Sequence, residues 1–310
     1  MHRLAGIFLC LLWAAPAAAD EPKVTVTLKP LHSLTARLLA GRSPPRQLIR
    51  GRVSPHRYAP RPSEVRALHG SDLVVWVGKS VEPGLAKVLK TLDAETYVLA
   101  LAQAPELALL PAREAGAWPD MAADGDTGKD HVREHNLDPH FWLDPRRAVS
   151  AAQVVARALI RADPANEARY QANLRSLRDD LEHLDRELEA MLEPVKSRPI
   201  FVFHDAYRYL EKRYGLRVLG AVTVSPDRSP GAKRMTQMRR RLRTEKGACV
   251  LLEPQFEPAL AQALVEGTGA RLGSLDPLGV DIPAGPEHYF ELMRAAARSV
   301  LECTAGGAKQ

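Results

Sequence analysis

Seven apolar residues, Leu174, Leu177, Leu181, Leu184, Leu188, Met191 and Val195, recur at alternating steps of three and four. That spacing draws one continuous stripe along one face of a helix. The other faces carry Arg175, Arg178, Asp179, Asp180, Glu182, Arg186, Glu187 and Glu189. Asp163 can cap such a helix, Pro164 can occupy its first position without losing a hydrogen bond, and Pro194 marks its end. A helix over residues 163–195 is predicted, a rod of about 45 Å. It divides the chain into two halves, and its stiffness limits hinge closure between them. The same stripe could serve a coiled-coil dimer. A helix embedded between α/β halves more often packs on its own lobes, and a monomer is expected.

Both halves alternate strand and helix patterns. In residues 20–162, KVTVTLKP, RQLIRGRV, DLVVWVG and ETYVLALA read as strands, with helical stretches at residues 61–69 and 82–92. In residues 196–310, PIFVFH, RVLGAVTV, ACVLLEPQ and ARLGSL read as strands, with helices at 205–214, 232–245, 258–268 and 286–301. This alternation predicts an α/β protein of two lobes with parallel-type sheets covered by helices. With 45% apolar residues in 310, the chain has enough material for two domains of ordinary size. Residues 116–137 read as a polar, Gly-containing loop within the first lobe.

The first nineteen residues, MHRLAGIFLCLLWAAPAAA, place Arg3 before an apolar run and small residues at Ala17 and Ala19. That is the pattern of a secretory signal cut after Ala19. A membrane anchor is the alternative, and a lipoprotein at Cys10 is disfavoured by the bulky Leu9 before it. No other apolar run approaches the ~18 residues a membrane span needs, so no anchor is expected after cleavage. Removing the signal leaves Cys249 and Cys303, an even pair in an oxidising compartment, expected to be joined rather than left as free thiols. The 43 bases and 37 acids, net +6, are mixed along the chain, which argues against a nucleic-acid binder. Only Arg239, Arg240, Arg241 and Arg243 form a basic run, and it reads as a solvated helix face.

Three of the ten histidines stand apart. His56 lies in the Pro-flanked S-P-H-R-Y-A-P, and His140 lies in D-P-H-F-W-L-D-P between Pro139 and Pro145. His204 ends the strand P-I-F-V-F-H, and Asp276 follows R-L-G-S-L in the same way. Open α/β sheets bind ligands beyond the carboxyl ends of their strands. Two lobes facing each other would bring His56 and His140 from one side and His204 and Asp276 from the other into one cleft. Three imidazoles and a carboxylate suit Zn²⁺, whereas Mn²⁺ favours more oxygen donors.

These stretches resemble the zinc-specific periplasmic binding proteins of ABC importers, the ZnuA type of the cluster A-I solute-binding family. The resemblance runs through TLKPLHSL, SPHRYAPRPSEV, SDLVVWVG, DPHFWLDP, FHDAYRYLEKRYGL, VSPDRSPGAKRM, EPQFEPAL and EGTGARLGSLDPLG, across nearly the whole chain beyond the signal. It implies two (β/α)₄ lobes joined by a rigid helix, with Zn²⁺ in the inter-lobe cleft on His56, His140 and His204. Asp276 matches an acid that completes the site in some members. Manganese-type relatives carry Glu where this chain has His204. Cys249 and Cys303 match a disulfide of zinc-type members. The partner implied is a membrane permease, and the place is the periplasm.

One departure concerns the stretch before D-P-H, where zinc-type members often carry a long His-rich loop. Here only His131 and His135 stand among Asp124, Asp126, Asp130 and Glu134, so a secondary metal-collecting site and a solvated loop are equally open readings. His32 and Asp205 are candidates to orient the metal-bound imidazoles. A secreted zinc hydrolase would also hold zinc on three histidines, with Glu253 or Asp276 as base. The chain has no H-E-x-x-H and no nucleophile elbow, and no enzyme is expected. A manganese or iron binder of the same architecture is the remaining alternative.

Overall fold

Short buried runs, Val-Thr-Val in one strand and Leu-Val-Val-Trp in another, form the centre of the first lobe's parallel sheet, as expected of strands covered by helices. The computed structural model describes residues 21–113, 116–117, 137–223, 230–255 and 258–305. The segment read as an export signal, with its expected cleavage after Ala19, and the pair His131 and His135 lie outside these residues. Strand β1 is Val24–Val26, followed by helix α1 at Lys29–Leu38 and strand β2 at Arg46–Gln47. Helix α2 is Pro62–His69, β3 is Leu73–Trp76 and β4 is Tyr97–Ala100. The four strands run parallel in the order β2-β1-β3-β4.

No α-helix forms over residues 82–92. Two short 3₁₀ turns, Pro83–Leu85 and Leu89–Thr91, stand there instead. Gly84 is pressed against the loop that follows β2, where a Cβ would lie 1.9 Å from the Tyr58 carbonyl oxygen. That close approach fixes the loop carrying His56.

Helix α3, Pro145–Ala162, is started by Asp144, whose carboxylate accepts from the Arg146 N–H at 2.9 Å. Helix α4, Glu167–Leu192, has 26 residues, about 39 Å, and is shorter than predicted. At its start Pro164–Asn166 is a 3₁₀ turn tied by the Asp163 carboxylate, which accepts from Asn166 and from the Tyr170 hydroxyl at 2.8 Å. At its end Glu193–Val195 is another. Leu177, Leu181, Leu184 and Leu188 are fully buried, packed within the chain against α1, α3 and the C-terminal helix. The stripe a coiled coil would have used is thus covered by the protein itself.

The second lobe contains β6 (Ile200–His204), α5 (Arg208–Tyr214), β7 (Val218–Thr223), α6 (Ala232–Thr244), β8 (Cys249–Leu252), α7 (Pro258–Val265), β9 (Arg271–Ser274) and α8 (His288–Ala305). Strands β6 to β9 are parallel in the order β7-β6-β8-β9. A fifth strand, β5 at Gly116–Ala117, adds antiparallel to the outer side of β7. These two residues come from the stretch expected to be a loop of the first lobe. A sheet edge offers unpaired backbone groups to any extended segment that reaches it.

One core runs through α1, α3, α4, α8 and the inner faces of both sheets, and a smaller one lies under α6 and α7 around Phe201, Val250 and Met238. The lobes are joined by polar contacts as well. Lys29 donates to the carbonyls of Gly279, Val280 and Ile282, Trp142 Nε1 donates to Pro277 O at 2.8 Å, and the Tyr289 hydroxyl donates to Trp142 O at 2.7 Å. Cys249 of β8 is bonded to Cys303 of α8 with Cα atoms 5.7 Å apart. Gly273 lies against this bridge, where a Cβ would come within 2.9 Å of Cys303 Sγ. Among the described residues no helix is long and apolar enough to cross a membrane.

Candidate metal centre

The three singled-out histidines meet. His56 sits in the 3₁₀ turn Pro55–Arg57, His140 directly precedes the turn Phe141–Leu143, and His204 is the last residue of β6. One ligand atom from each lies within 4.8 Å of the other two. Ring centroids are 5.8 Å apart for His56 and His140, 5.5 Å for His56 and His204, and 5.0 Å for His140 and His204. The rings line a narrow cleft between the lobes with Ser54, Trp142, Glu253, Gln255, Pro277 and Leu278.

Two imidazoles are held by carboxylates on their Nδ1. His140 Nδ1 is 2.8 Å from Asp138 Oδ1, and that oxygen also accepts the His140 backbone N–H at 3.0 Å. His204 Nδ1 is 3.0 Å from Glu253 Oε1. A carboxylate only accepts, so each Nδ1 carries the proton and each Nε2 presents a lone pair. His204 Nε2 is buried with no hydrogen-bond partner among the described residues. The third ring, His56, sits beside the backbone of Ser80. Outward-facing lone pairs on rings locked from behind are the arrangement a metal ion requires.

Electrostatics favours neutral imidazole at His56. Burial, with the neighbouring His140 and His204 adding to it, lowers its pKa to about 3. At His204 burial also pulls down, but the Glu253 carboxylate, followed by Asp205 and Asp138, leaves the value raised. An imidazole must be neutral to bind a metal, and a cation placed between the rings offsets the anionic charge behind them.

The fourth ligand expected from the sequence, Asp276, is not drawn into this group. Its Oδ1 accepts from the Leu278 N–H at 2.9 Å and from Gln255 Nε2 at 3.1 Å, and its Oδ2 accepts from the Val280 N–H at 2.6 Å. The strand-end position is as predicted, but the carboxylate is committed to the turn that follows β9. His32 and Asp205 do not orient the imidazoles either. His32 Nε2 pairs with Pro45 O at 3.0 Å, and Asp205 is bound by the Arg113 guanidinium at 2.7 Å. Asp138 and Glu253, which do, were not among the expected partners. Asp138 lies in the D-P-H segment itself, and Glu253 directly follows β8, so the motif could have pointed to the first and strand-end placement to the second.

Comparison with known proteins agrees with this geometry. A family profile described as zinc-uptake complex component A, periplasmic, matches residues 24–303. The high-affinity zinc uptake system protein ZnuA of Brucella abortus is 36% identical over 323 residues, covering 97% of each chain. Its counterpart in Yersinia pestis is 37% identical over 303 residues, covering 94% of each. The crystal structure of a zinc-bound deletion mutant of ZnuA superposes with a TM-score of 0.76 at 25% identity, covering 94% of this chain and all of that one.

Proposed function

This chain belongs to the periplasmic zinc-uptake component A family, and from that premise we propose that it captures Zn²⁺ outside the cytoplasm and hands it to the membrane permease of an ABC importer. The observation that carries this reading is the convergence of three imidazole ligand atoms within 4.8 Å, contributed by both lobes. Three neutral nitrogen donors match Zn²⁺, and Mn²⁺ is less well served by a site so poor in oxygen. The ligands are His56, His140 and His204, with Asp138 and Glu253 behind two of them. Zn²⁺ is here the transported substrate, and the family is one of solute-binding transport proteins. Export through residues 1–19 would bring the chain to the compartment where such a protein acts, and the buried stripe of α4 supports a monomer.

The test is zinc titration of the purified protein, wild type beside His204→Ala, with Mn²⁺ as competitor. Wild type should bind one Zn²⁺ tightly, and excess Mn²⁺ should displace little of it. His204→Ala should lose at least tenfold in affinity, as even outer-shell changes cost about 10–100-fold. Unchanged stoichiometry and affinity in the variant would remove the site.

A further inference from the structure

We infer that the amide oxygen of Gln255, and not the carboxylate of Asp276, meets the zinc ion at the coordination position that the three imidazoles leave open. This rests on the reading of the cleft as a zinc site and deepens it. Gln255 lines the cleft beside His56, His140 and His204, two residues beyond Glu253. Its Nε2 donates to Asp276 Oδ1 at 3.1 Å. A carboxylate cannot donate, so the amide has one permitted orientation, nitrogen toward Asp276 and oxygen away from it. That oxygen is closed off from solvent and has no hydrogen-bond partner among the described residues. A buried amide oxygen without a donor is costly unless something electropositive meets it. In this cleft the candidate is the ion itself, since the Nε2 of His204 is left bare in the same way.

Asp276, by contrast, has work on both oxygens. Three donors, the N–H groups of Leu278 and Val280 and the Gln255 amide, hold it in the turn after β9. Lys29 grips the same turn through the carbonyls of Gly279, Val280 and Ile282. Ligation by Asp276 would require dismantling this turn, whereas Gln255 lines the cleft with its amide oxygen uncommitted. Asp276 is therefore a positioning residue that fixes which end of the Gln255 amide faces the ion. A neutral fourth oxygen leaves Asp138 and Glu253 as the anions that orient the site from behind.

The experiment measures zinc affinity by chelator competition for wild type, Gln255→Met, Asp276→Ala and the double variant. Cobalt(II) spectra of wild type and Gln255→Met are recorded alongside. Gln255→Met should weaken zinc by about 10-fold or more and change the visible cobalt band, with the melting temperature of the metal-free protein unchanged. Adding Asp276→Ala to Gln255→Met should cost no more than about twofold further, because Asp276 acts through Gln255. An affinity for Gln255→Met within about twofold of wild type, or a full additional loss from Asp276→Ala in its background, overturns the inference. Should Asp276→Ala fail to fold, Gln255→Met and its cobalt spectrum decide alone. A wild type that binds no zinc would refute the zinc site itself, whereas zinc binding unaffected by Gln255→Met refutes only the role of Gln255.

Discussion

Glu253 shows how one carboxylate sets the task of an imidazole it touches. With Oε1 on His204 Nδ1 at 3.0 Å, it chooses the tautomer and turns Nε2 into the cleft. Glu253→Ala should weaken zinc about 10–100-fold, and Glu253→Gln, which keeps an accepting oxygen, should recover part of the loss. Isothermal titration with a competing chelator measures both. A second carboxyl, Glu82, is completely buried and receives the N–H groups of Val77 and Gly78 on one oxygen. Burial, against those two hydrogen bonds, raises its pKa to about 7 from 4.5. The folded state therefore holds this proton more tightly than the unfolded chain does. Its stabilising effect is complete below about pH 4.5 and is lost as pH rises through about 7, roughly 3 kcal/mol in all. Glu82→Gln should remove that slope, so urea midpoints of wild type and variant should diverge in favour of the variant between pH 5 and pH 8. The convergence of the three histidines was legible because residue type and placement both pointed to it, a strand end for His204 and Pro-flanked loops for His56 and His140. Asp276 met the same two criteria and is used otherwise, since no sequence pattern reveals which lone pairs a following turn will occupy.

At the scale of elements, periodicity over many residues was legible and short connections were not. The stripe of α4 and the alternation of buried strands carry redundant signals, so both were found with small errors at the ends. Those ends moved because Asp163 binds Asn166 and Tyr170 and holds Pro164–Asn166 as a 3₁₀ turn. Residues 82–92 fit a helical pattern, but contact between Gly84 and the Tyr58 carbonyl, a tertiary fact, replaces the helix with tight turns. Strand β5 is of the same kind, two residues whose state is decided by the edge of β7. Gly84→Ala must push the Tyr58 backbone away, and Tyr58 is two residues from His56. A loss of about 1–3 kcal/mol in stability is expected, with weaker zinc binding, seen by thermal melts and zinc titration of the same sample.

Across the whole molecule, the lobes meet through a shared core and through hydrogen bonds of Lys29, Trp142 and Tyr289, so the fold itself holds the two sides of the cleft together. The long helix, buried along its stripe, backs both halves and resists a wide hinge. The most direct test is a crystal structure of the zinc-loaded protein with anomalous data collected at the zinc edge. A single strong peak should lie about 2.0–2.1 Å from the Nε2 atoms of His56, His140 and His204, bridging the two lobes. A peak held by one lobe alone, or one remote from these three rings, would contradict the account.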